Sequence, residues 1–420
     1  MSTRPPYSSY KSSGIDWLGD VPEHWDAKPI KYSLSLINGA PFKPAEWSSN
    51  GIPIIRIENL NGGQEFNYFD GEMPSKYIVH DGELLFGWSG NRGTSFGPFR
   101  WWGKGQHYLN QHIFRMVGYS HNKEWLYWTL RAVTHIVEQQ AHGMIGLVHI
   151  TKGKLGSIKI PSIPLPEQHA IADFLDHQTA KIDTLIAKKK DLIALLKEKR
   201  QAVITQAVTQ GLIQNVPMKD SGIDWLGEVP GHWEVVPVRW YVSIGSGEFL
   251  SNEESTDEKE SDNQYPAVGG NGILGYTNKI NTPGNSVVVG RVGAYCGNVH
   301  YLNQPTWVTD NALRIRIQRD FQPRYLAEIL RTLDINRWSN QNAQPLVTGE
   351  MIKSKLIPLP SSSEQQAIIG YLDHKTPQID ELLVKVEDAI NKLKEYRTAL
   401  ITAAVTGKMD VRGEKNERIN

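Results

Sequence analysis

The residues best suited to chemistry in this sequence lie in polar loops that are rich in glycine and aromatic side chains. These loops run from Ser89 to His112, from Tyr265 to Asn278 and from Gly290 to Asn298. Arginine, lysine and asparagine can hydrogen-bond to the edges of DNA bases, and glycine lets a backbone approach a phosphate closely. Tryptophan and tyrosine in such loops would equally suit a sugar or a protein surface. The candidates for reading DNA are Arg56, Asn91, Arg92, Lys104, Asn271, Arg291 and Asn298.

A constellation for catalysis is missing from the sequence. There is no GxxxxGKS/T phosphate loop and no His-Glu-x-x-His zinc helix, and Ile244–Glu248 lacks the spacing of a dinucleotide-binding turn. Asp257, Glu258 and Lys259 imitate the end of a nuclease motif, but no apolar strand holds them over a metal. Cys296 is the single cysteine, which excludes an internal disulfide and a cysteine zinc cluster. We therefore predict no catalytic residue, no metal site and no cofactor.

A long internal repeat organises the chain. Ser13–Trp25 and Ser221–Trp233 match at 11 of 13 positions, at an offset of 208 residues. The segments that start at Pro164 and Pro358 match as well, although PLPSSSEQ in the second copy predicts a three-residue insertion, Ser361–Ser363, relative to PLPEQ in the first. A repeat of this size is a whole domain rather than a solenoid unit. The chain is therefore two copies of one unit.

Each copy reads as a globular module followed by a helical region. The predicted boundaries are 1–163 for the first module, 164–215 for the first helical region, 216–357 for the second module and 358–420 for the second helical region. In the modules, Ile52–Leu60 and Ala312–Gln318 predict strands, whereas Lys123–Gln140 and Pro323–Arg337 predict helices. This is a mixed α/β fold. Because the modules differ strongly between their shared flanks, we expect two sites of one type with different specificities.

The helical regions carry an amphipathic heptad pattern. Lines of mostly apolar residues, seven apart, start at Ile182 and Leu185 in the first copy and at Ile379 and Leu382 in the second. The pattern predicts two long helices packed antiparallel as a coiled coil, related by a pseudo-twofold repeat. Two surface helices, each packed on its own module, are the alternative.

Capping signals predict where these helices begin and end. Thr376-Pro377 predicts the start of the second helix, with threonine as the N-cap and proline in the first turn. Gly211 and Gly407 predict the two C-terminal ends. A first helix over 181–210 would be about 45 Å long, which corresponds to roughly 13 base pairs of DNA. Such a pair of helices could act as a ruler between the modules.

Composition places limits on partners and compartment. The 45 basic and 45 acidic residues give a net charge of zero, which at first argues against nucleic acid as a partner. The first module, however, has 16 basic and 13 acidic residues, and the second module's acidic excess comes from Glu248–Asp262, with seven acids and one lysine. Two mildly basic modules and one acidic loop therefore make up the neutral total. No apolar stretch approaches the roughly 20 residues of a membrane span, and we expect a cytoplasmic protein.

The segments that the two copies share, which we call the frame, resemble those of the DNA-specificity subunit of type I restriction–modification systems. The resemblance is carried by SGIDWLGDVPEHW from Ser13, GIPIIRIENL from Gly51, LNQHIFR from Leu109 and the PLPEQ approach to the first helix, and it extends to Gly407. It implies that each module is a target-recognition domain for one half of a split DNA sequence. It also implies that the helices set the unread spacer and dock two methyltransferase subunits, with a motor-nuclease subunit joining for restriction.

The resemblance places the chemistry in the partners, in agreement with the missing catalytic motifs. From the polar faces of the helices, the candidates for partner docking are Lys188, Lys190, Lys197, Arg200 and Arg397. Three alternatives remain open at this point. The chain could serve a related system in which methylation and cleavage share one polypeptide, or be a scaffold whose tryptophan-rich modules bind carbohydrate or protein. A self-contained nuclease or methyltransferase is the third.

Overall fold

The computed structural model describes residues 5–140, 147–338 and 345–412. It divides into two compact units, unit 1 with residues 1–189 and 388–420 and unit 2 with residues 190–387. Each unit contains one module of the repeat and a part of both long helices. In the described part of the chain, no helix combines the length and the apolar composition that a bilayer-spanning segment needs.

Unit 1 is built from fourteen short strands, three helices of its own and parts of both long helices among its described residues. The strands are β1 (Tyr10–Ser12), β2 (Asp20–Pro22), β3 (Asp26–Pro29), β4 (Ser35–Asn38), β5 (Ile52–Ile55), β6 (Asn67–Phe69), β7 (Ile78–Val79), β8 (Leu84–Gly87), β9 (Ser89–Asn91), β10 (Gly97–Arg100), β11 (His107–Leu109), β12 (Ile113–Val117), β13 (Leu147–His149) and β14 (Lys159–Ser162). The helices are α1 (Ile57–Leu60), α2 (Lys123–Gln140), α3 (Lys152–Ser157), the first part of α4 (Leu165–Gln210) and the last part of α7 (Ser362–Val405).

The core of unit 1 lies between an antiparallel sheet and α2. The sheet has the order β10-β8-β12-β4, and a smaller sheet with the order β6-β5-β11-β7 lies beside it. Side chains alternate between the two faces of a strand, so Phe86 and Phe114 pack in one cluster with Trp125 of α2. Leu85 and Ile113, on the opposite face, pack in a second cluster.

Unit 2 repeats this arrangement with fewer strands. Its elements are the last part of α4, β15 (Met218–Asp220), β16 (Glu228–Pro230), β17 (Glu234–Pro237), β18 (Val242–Ser246), β19 (Tyr265–Gly269), β20 (Gly272–Thr277), β21 (Ser286–Gly290), β22 (Val299–Leu302), β23 (Trp307–Val308), β24 (Ala312–Ile317), α5 (Pro323–Thr332), α6 (Gly349–Lys353), β25 (Leu356–Leu359) and the first part of α7 (Ser362–Val405). The main sheet has the order β18-β24-β21-β22, and the smaller sheet has the order β20-β19-β23.

The two units share one topology. The order β18-β24-β21-β22 corresponds to β4-β12-β8-β10, and in both units a strand that opens the module pairs antiparallel with the strand that precedes the long helix (β3 with β14, β17 with β25). The smaller sheet contains one parallel pair in each unit, β5 with β11 and β19 with β23. The internal repeat of the sequence is therefore a repeat of the fold.

The long helices run antiparallel in each unit. In unit 1, Arg397 of α7 forms an ion pair with Asp183 of α4 (3.0 Å), and Ile182 packs in the same cluster as Leu400. In unit 2, Arg200 of α4 forms an ion pair with Asp380 of α7 (2.8 Å). The predicted antiparallel pair is confirmed.

The two heptad lines differ in burial at the residues that start them. Ile182 and Ile379, which start the first line in each copy, are 5% and 8% exposed. Leu185 and Leu382, which start the second line, are 48% and 47% exposed. The second line is therefore exposed where it starts in both copies, and the helix pair leaves this part of the apolar stripe uncovered.

Both helices start earlier than the capping signals indicated. α4 begins at Leu165 and α7 at Ser362, so Pro377 lies inside a helix. The prediction of a helix start at Thr376-Pro377 is wrong, because the Thr376 side chain is buried and bonds to the Leu372 carbonyl one turn earlier (2.8 Å) instead of capping. The predicted ends are confirmed: Gly211 and Gly407 adopt φ values of 75° and 73°.

The predicted insertion at Ser361–Ser363 is also wrong. Strand β14 ends at Ser162 and α4 begins at Leu165, whereas β25 ends at Leu359 and α7 begins at Ser362, so the two connections have equal length. The PLP letters that looked equivalent occupy different positions in the two copies. The predicted strand over 52–60 is shorter, because it stops at Ile55 and the chain then forms α1. The predicted helix over 323–337 is also shorter and stops at Thr332.

Candidate nucleic-acid interface

In unit 2, glycines bring two of the predicted loops together. A Cβ added to Gly290 would lie only 3.0 Å from the Cα atom of Gly270 and 2.3 Å from the Tyr295 carbonyl oxygen. Any side chain at Gly290 would force the loops apart. Asn271 follows the first of these glycines and Arg291 the second, so close backbone packing places the two candidate residues on neighbouring turns.

The three candidates of unit 2 differ in how far they are engaged. Asn271 is exposed at the turn between β19 and β20, and none of the described residues hydrogen-bonds to its side chain. Arg291 is half-buried, with its guanidinium donating to the Ser246 hydroxyl (3.1 Å). Asn298 is half-buried, and its carbonyl accepts the amide of Gly290 (2.8 Å). Asn271 has the side chain most accessible to a ligand.

In unit 1, the predicted loop 89–112 contains three strands and a tight turn. A Cβ on Gly87 would lie 2.2 Å from the Ser95 carbonyl oxygen, and one on Gly90 would lie 2.5 Å from the Ser95 hydroxyl. The turn therefore folds back on β8 and β9. It leaves Asn91 exposed at the end of β9 and Arg92 half-buried beside it.

Lys104 and Arg56 lie in two other parts of unit 1. Lys104 is exposed in the connection from β10 to β11. Arg56 donates to the Asn67 side chain (2.6 Å), forms an ion pair with Glu58 (3.0 Å) and lies over the Trp47 ring (5.0 Å). These contacts hold the Arg56 guanidinium in place, either as a structural group or as a preorganised donor.

Sequence reasoning missed the arginines of β24. Arg314 forms an ion pair with Glu248 (3.0 Å) and donates to the Asn281 carbonyl (3.0 Å), whereas Arg316 is exposed. Both arginines line a cavity of about 570 Å³ with the turn 281–286. Because side chains alternate along a strand, Arg314 and Arg316 in ALRIRI lie on the face of β24 opposite to Ile315. The sequence pattern alone could have indicated this shared face.

A carboxylate in the first turn of α4 has several hydrogen-bond partners in unit 1. The Glu167 carboxylate accepts hydrogen bonds from the Trp25 indole (2.9 Å) and the Tyr7 hydroxyl (3.3 Å) and contacts the His24 ring nitrogen (2.7 Å). Burial and the Glu167 charge raise the pKa of Tyr7 well above its ordinary value. The next residue, Gln168, accepts the backbone amide of Asn122 at the start of α2 (2.6 Å).

Unit 2 contains the same arrangement. The Glu364 carboxylate accepts the Trp233 indole N–H (2.9 Å) and contacts the His232 ring nitrogen (2.8 Å). Burial opposes ionisation, but the hydrogen bonds from Trp233, His232 and Ser361 outweigh it and lower the pKa of Glu364 to about 2. Gln365 accepts the amide of Gln322 before α5 (2.7 Å). We call each such group a Glu-Gln clamp, because it ties the opening of a module and its main helix to one long helix.

The clamps explain the repeated tryptophans. Trp25 and Trp233 are buried to 0% and 1% exposure, and their indole groups donate to the two clamp carboxylates. Trp17 is half-buried and donates to the Lys159 carbonyl (3.1 Å), whereas Trp225 is 37% exposed. No group of three or more histidine, cysteine, aspartate or glutamate side chains in the described ranges could hold a metal ion.

The comparison with known families decides what this duplicated arrangement is. The model of the type I restriction modification DNA specificity domain matches the chain twice, at residues 23–195 and 231–392. The chain belongs to this family. Each match contains most of one module and part of the long helix that follows it, so the two matches follow the internal repeat.

Similar proteins extend over the length of the chain. The type I restriction enzyme EcoBI specificity subunit of Escherichia coli is 22% identical over 94% of this chain and 88% of its own length. A putative MjaX specificity subunit of Methanocaldococcus jannaschii is 23% identical over 94% and 96%. The E. coli EcoprrI specificity subunit is 30% identical, but only over 31% of this chain and 33% of its own length.

Solved structures support the fold. A chain from a study of complex assembly and conformational transition in the type I R-M system has a TM-score of 0.70 at 13% identity, covering 92% of this chain and 98% of that one. The HsdS subunit from Thermoanaerobacter tengcongensis has a TM-score of 0.50 at 15% identity, covering 93% and 98%. At these identities the likeness concerns the fold alone.

The docking candidates of this specificity-domain chain fall into two groups. Lys188, Lys190 and Lys197 are exposed on α4. Arg200 and Arg397 instead form the ion pairs to Asp380 and Asp183 that join the two helices within a unit. Their guanidinium groups therefore have partners inside the chain.

Proposed function

We propose that the chain is the non-catalytic specificity subunit of a type I restriction–modification complex and reads a bipartite DNA sequence. Residues 1–163 and 216–357 are the two target-recognition domains, and residues 164–215 and 358–420 are the spacer regions. Each domain reads one half of the site. The observation that carries this proposal is the duplicated fold: the two modules share one topology but differ in their loops.

The proposed DNA-reading residues are those on the loops that differ between the modules. Asn91, Lys104 and Asn271 have exposed side chains, so they can reach a base edge without breaking an internal contact. The remaining candidates, Arg56, Arg92, Arg291 and Asn298, are half-buried. These four would orient or support the contacts rather than form the outermost layer of the interface.

The proposed partners are duplex DNA, two methyltransferase subunits and, for restriction, motor-nuclease subunits. The exposed lysines Lys188, Lys190 and Lys197 are the docking residues we retain on the helices, whereas Arg200 and Arg397 hold the helices together. The chemistry resides in the partners, and the methyl donor binds there. Because its ligand is cellular DNA, we propose the cytoplasm as the compartment.

Methylome sequencing of cells that express this chain with its methyltransferase tests the proposal. We expect one asymmetric sequence with two specified halves, an unread spacer of fixed length and one methylated base type. The control is the methyltransferase expressed alone. Unchanged DNA methylation in the presence of this chain would refute the proposal.

The spacer role of the helices has its own test. An insertion of seven residues in α4 and seven in α7 lengthens each helix by about 10 Å, so the spacer should grow by roughly three base pairs. Insertion in α4 alone breaks the pairing of the helices and should abolish methylation. An active complex that carries both insertions but keeps the original spacer length would contradict the proposal that the helices set the spacer.

A further inference from the structure

The four most exposed aromatic side chains of the described residues differ in whether the repeat preserves them. Tyr32 and Trp240 are 68% and 58% exposed and lie at equivalent positions, 208 residues apart. Trp102 and Phe249 are 68% and 74% exposed and have no aromatic counterpart in the other module. Burial explains why Trp25 and Trp233 are preserved. It cannot explain the first pair, so those rings serve something that both modules need.

The two preserved rings sit on the same local structure. Tyr32 ends a 3₁₀ turn over Ile30–Tyr32, and Trp240 ends one over Val238–Trp240, each turn preceded by a proline. The first amide of each turn donates to a carbonyl in front of the strand that leads to the long helix, Ile158 in unit 1 and Lys355 in unit 2 (both 2.9 Å). Equal anchoring gives both rings the same presentation.

Both turns carry basic charge. Lys31 and Arg239, each exposed, come directly before the aromatic residue. The short helix α3, with Lys152 and Lys154, packs against the first turn, where a Cβ on Gly156 would lie 3.5 Å from the Lys31 Cβ. In unit 2, α6 packs against the second turn and adds Lys353, whose ammonium is paired with Glu350 (2.9 Å).

We infer that these basic-aromatic turns, Lys31-Tyr32 and Arg239-Trp240, are duplicated contacts for the sugar–phosphate backbone of DNA. The inference rests on the proposed function. Two modules that read different half-sites cannot use a shared exposed residue to tell sequences apart. What both half-sites have in common is the backbone, and contacts to it position a protein without specifying sequence.

The exchanges between the copies favour a phosphate over a protein pocket. Lysine becomes arginine and tyrosine becomes tryptophan, so each turn keeps a cation and a polar hydrogen on the ring. A phosphate accepts hydrogen bonds from any of these groups. A closely packed protein pocket would distinguish their sizes and shapes, since lysine and arginine are not interchangeable at such sites.

The test measures how salt affects DNA binding by the assembled complex with its methyltransferase subunits. The probes are a duplex with the methylated site and a scrambled duplex of the same length. Each phosphate contact contributes about 0.9 to the slope of log K against log salt. Lys31→Gln or Arg239→Gln should lower the slope by about 1 and the affinity roughly fivefold at 0.15 M salt, on both duplexes alike. The double variant should lower the slope by about 2.

Lys76→Gln is the matched control. Lys76 is also exposed, also follows a proline by two residues on a 3₁₀ turn and also precedes a tyrosine, but this turn has no copy in the second module. An equal loss in Lys76→Gln, an unchanged slope in the double variant, or a preference change confined to one half-site would overturn the inference. So would the loss of methyltransferase copies from the double variant in native mass spectrometry, which would identify a protein-docking surface. If the wild-type complex itself fails to prefer its site, the proposed function fails instead.

Discussion

The two modules agree in their frame and differ in their loops, and this contrast separates two kinds of residue. The frame contains the buried Trp25 and Trp233 and the clamps around Glu167 and Glu364, which make the same contacts twice. The loop at 89–112 in the first module and the loops at 265–278 and 290–298 in the second differ in sequence. Positions that hold a module on its helix are therefore repeated, and the positions proposed to read DNA differ.

Exchanging the variable part of one module should have the largest effect on the recognised DNA sequence. Replacing residues 26–160 by the equivalent segment of another member keeps the carboxylate contacts of the first clamp, since His24, Trp25 and Glu167 lie outside the exchanged range. The partner of Gln168 inside that range, at Asn122, is a backbone amide. We expect methylome sequencing to show one half-site fully replaced and the other half-site and the spacer unchanged. The reciprocal exchange within the second module should change only the other half. If either exchange alters both halves, the modules do not read independently.

Removing a repeated anchor should cost stability in either module. Trp233→Ala deletes a buried ring and an indole bond to Glu364, and such substitutions cost about 3–5 kcal/mol in the free energy of unfolding. Trp25→Ala should cost as much. Trp225→Ala, at a site 37% exposed in the same motif, should cost under about 1 kcal/mol. Urea denaturation of the full chain measures all three, and a costly Trp225→Ala would show that the frame depends on exposed residues too.

The sequence reveals the frame better than it reveals the contacts inside it. The repeat, both C-terminal glycines and the α2 range Lys123–Gln140 were predictable, because they depend on local pattern. The pairing of His24 with Glu167 joins residues 143 positions apart, and no local rule indicates it. Both partners were visible as repeated letters, so the repeat identified the residues but not the bond.

Other errors came from reading a local signal where tertiary structure decided. Thr376 has the residue types of an N-cap around it, but burial against the module keeps the chain helical there, as it does at the equivalent Thr179, which bonds to the Leu175 carbonyl (2.6 Å). The ion pairs of Arg200 and Arg397 could not be predicted from local pattern, because their aspartate partners lie on the other helix. Which loop side chains contact bases depends on a ligand that the sequence does not contain.

Acid should weaken the second clamp. The pKa of the Glu364 carboxyl is about 2 in the folded protein against an ordinary 4.5, so the unfolded state binds more protons between these values. Its contribution, on the order of 2–3 kcal/mol, is complete above about pH 5 and is lost as the pH falls towards 2. Glu364→Gln should remove this part of the pH dependence of unfolding. Urea denaturation at several pH values measures it, and an unchanged pH profile in Glu364→Gln would show that the clamp carboxylate does not control acid stability.

The smallest effects belong to the ion pairs between the helices, where the two units can be compared directly. Asp380→Asn and Asp183→Asn remove the same contact from unit 2 and unit 1, and pairs this exposed contribute under about 1 kcal/mol. Asp183→Asn should be the costlier change, because the Arg397 side chain is 22% exposed against 39% for Arg200. A double-mutant cycle of each pair in low and in high salt isolates the interaction, which should shrink in high salt. A coupling energy above about 2 kcal/mol between the two charged side chains would show that these ion pairs, like the clamps, are major stabilising contacts.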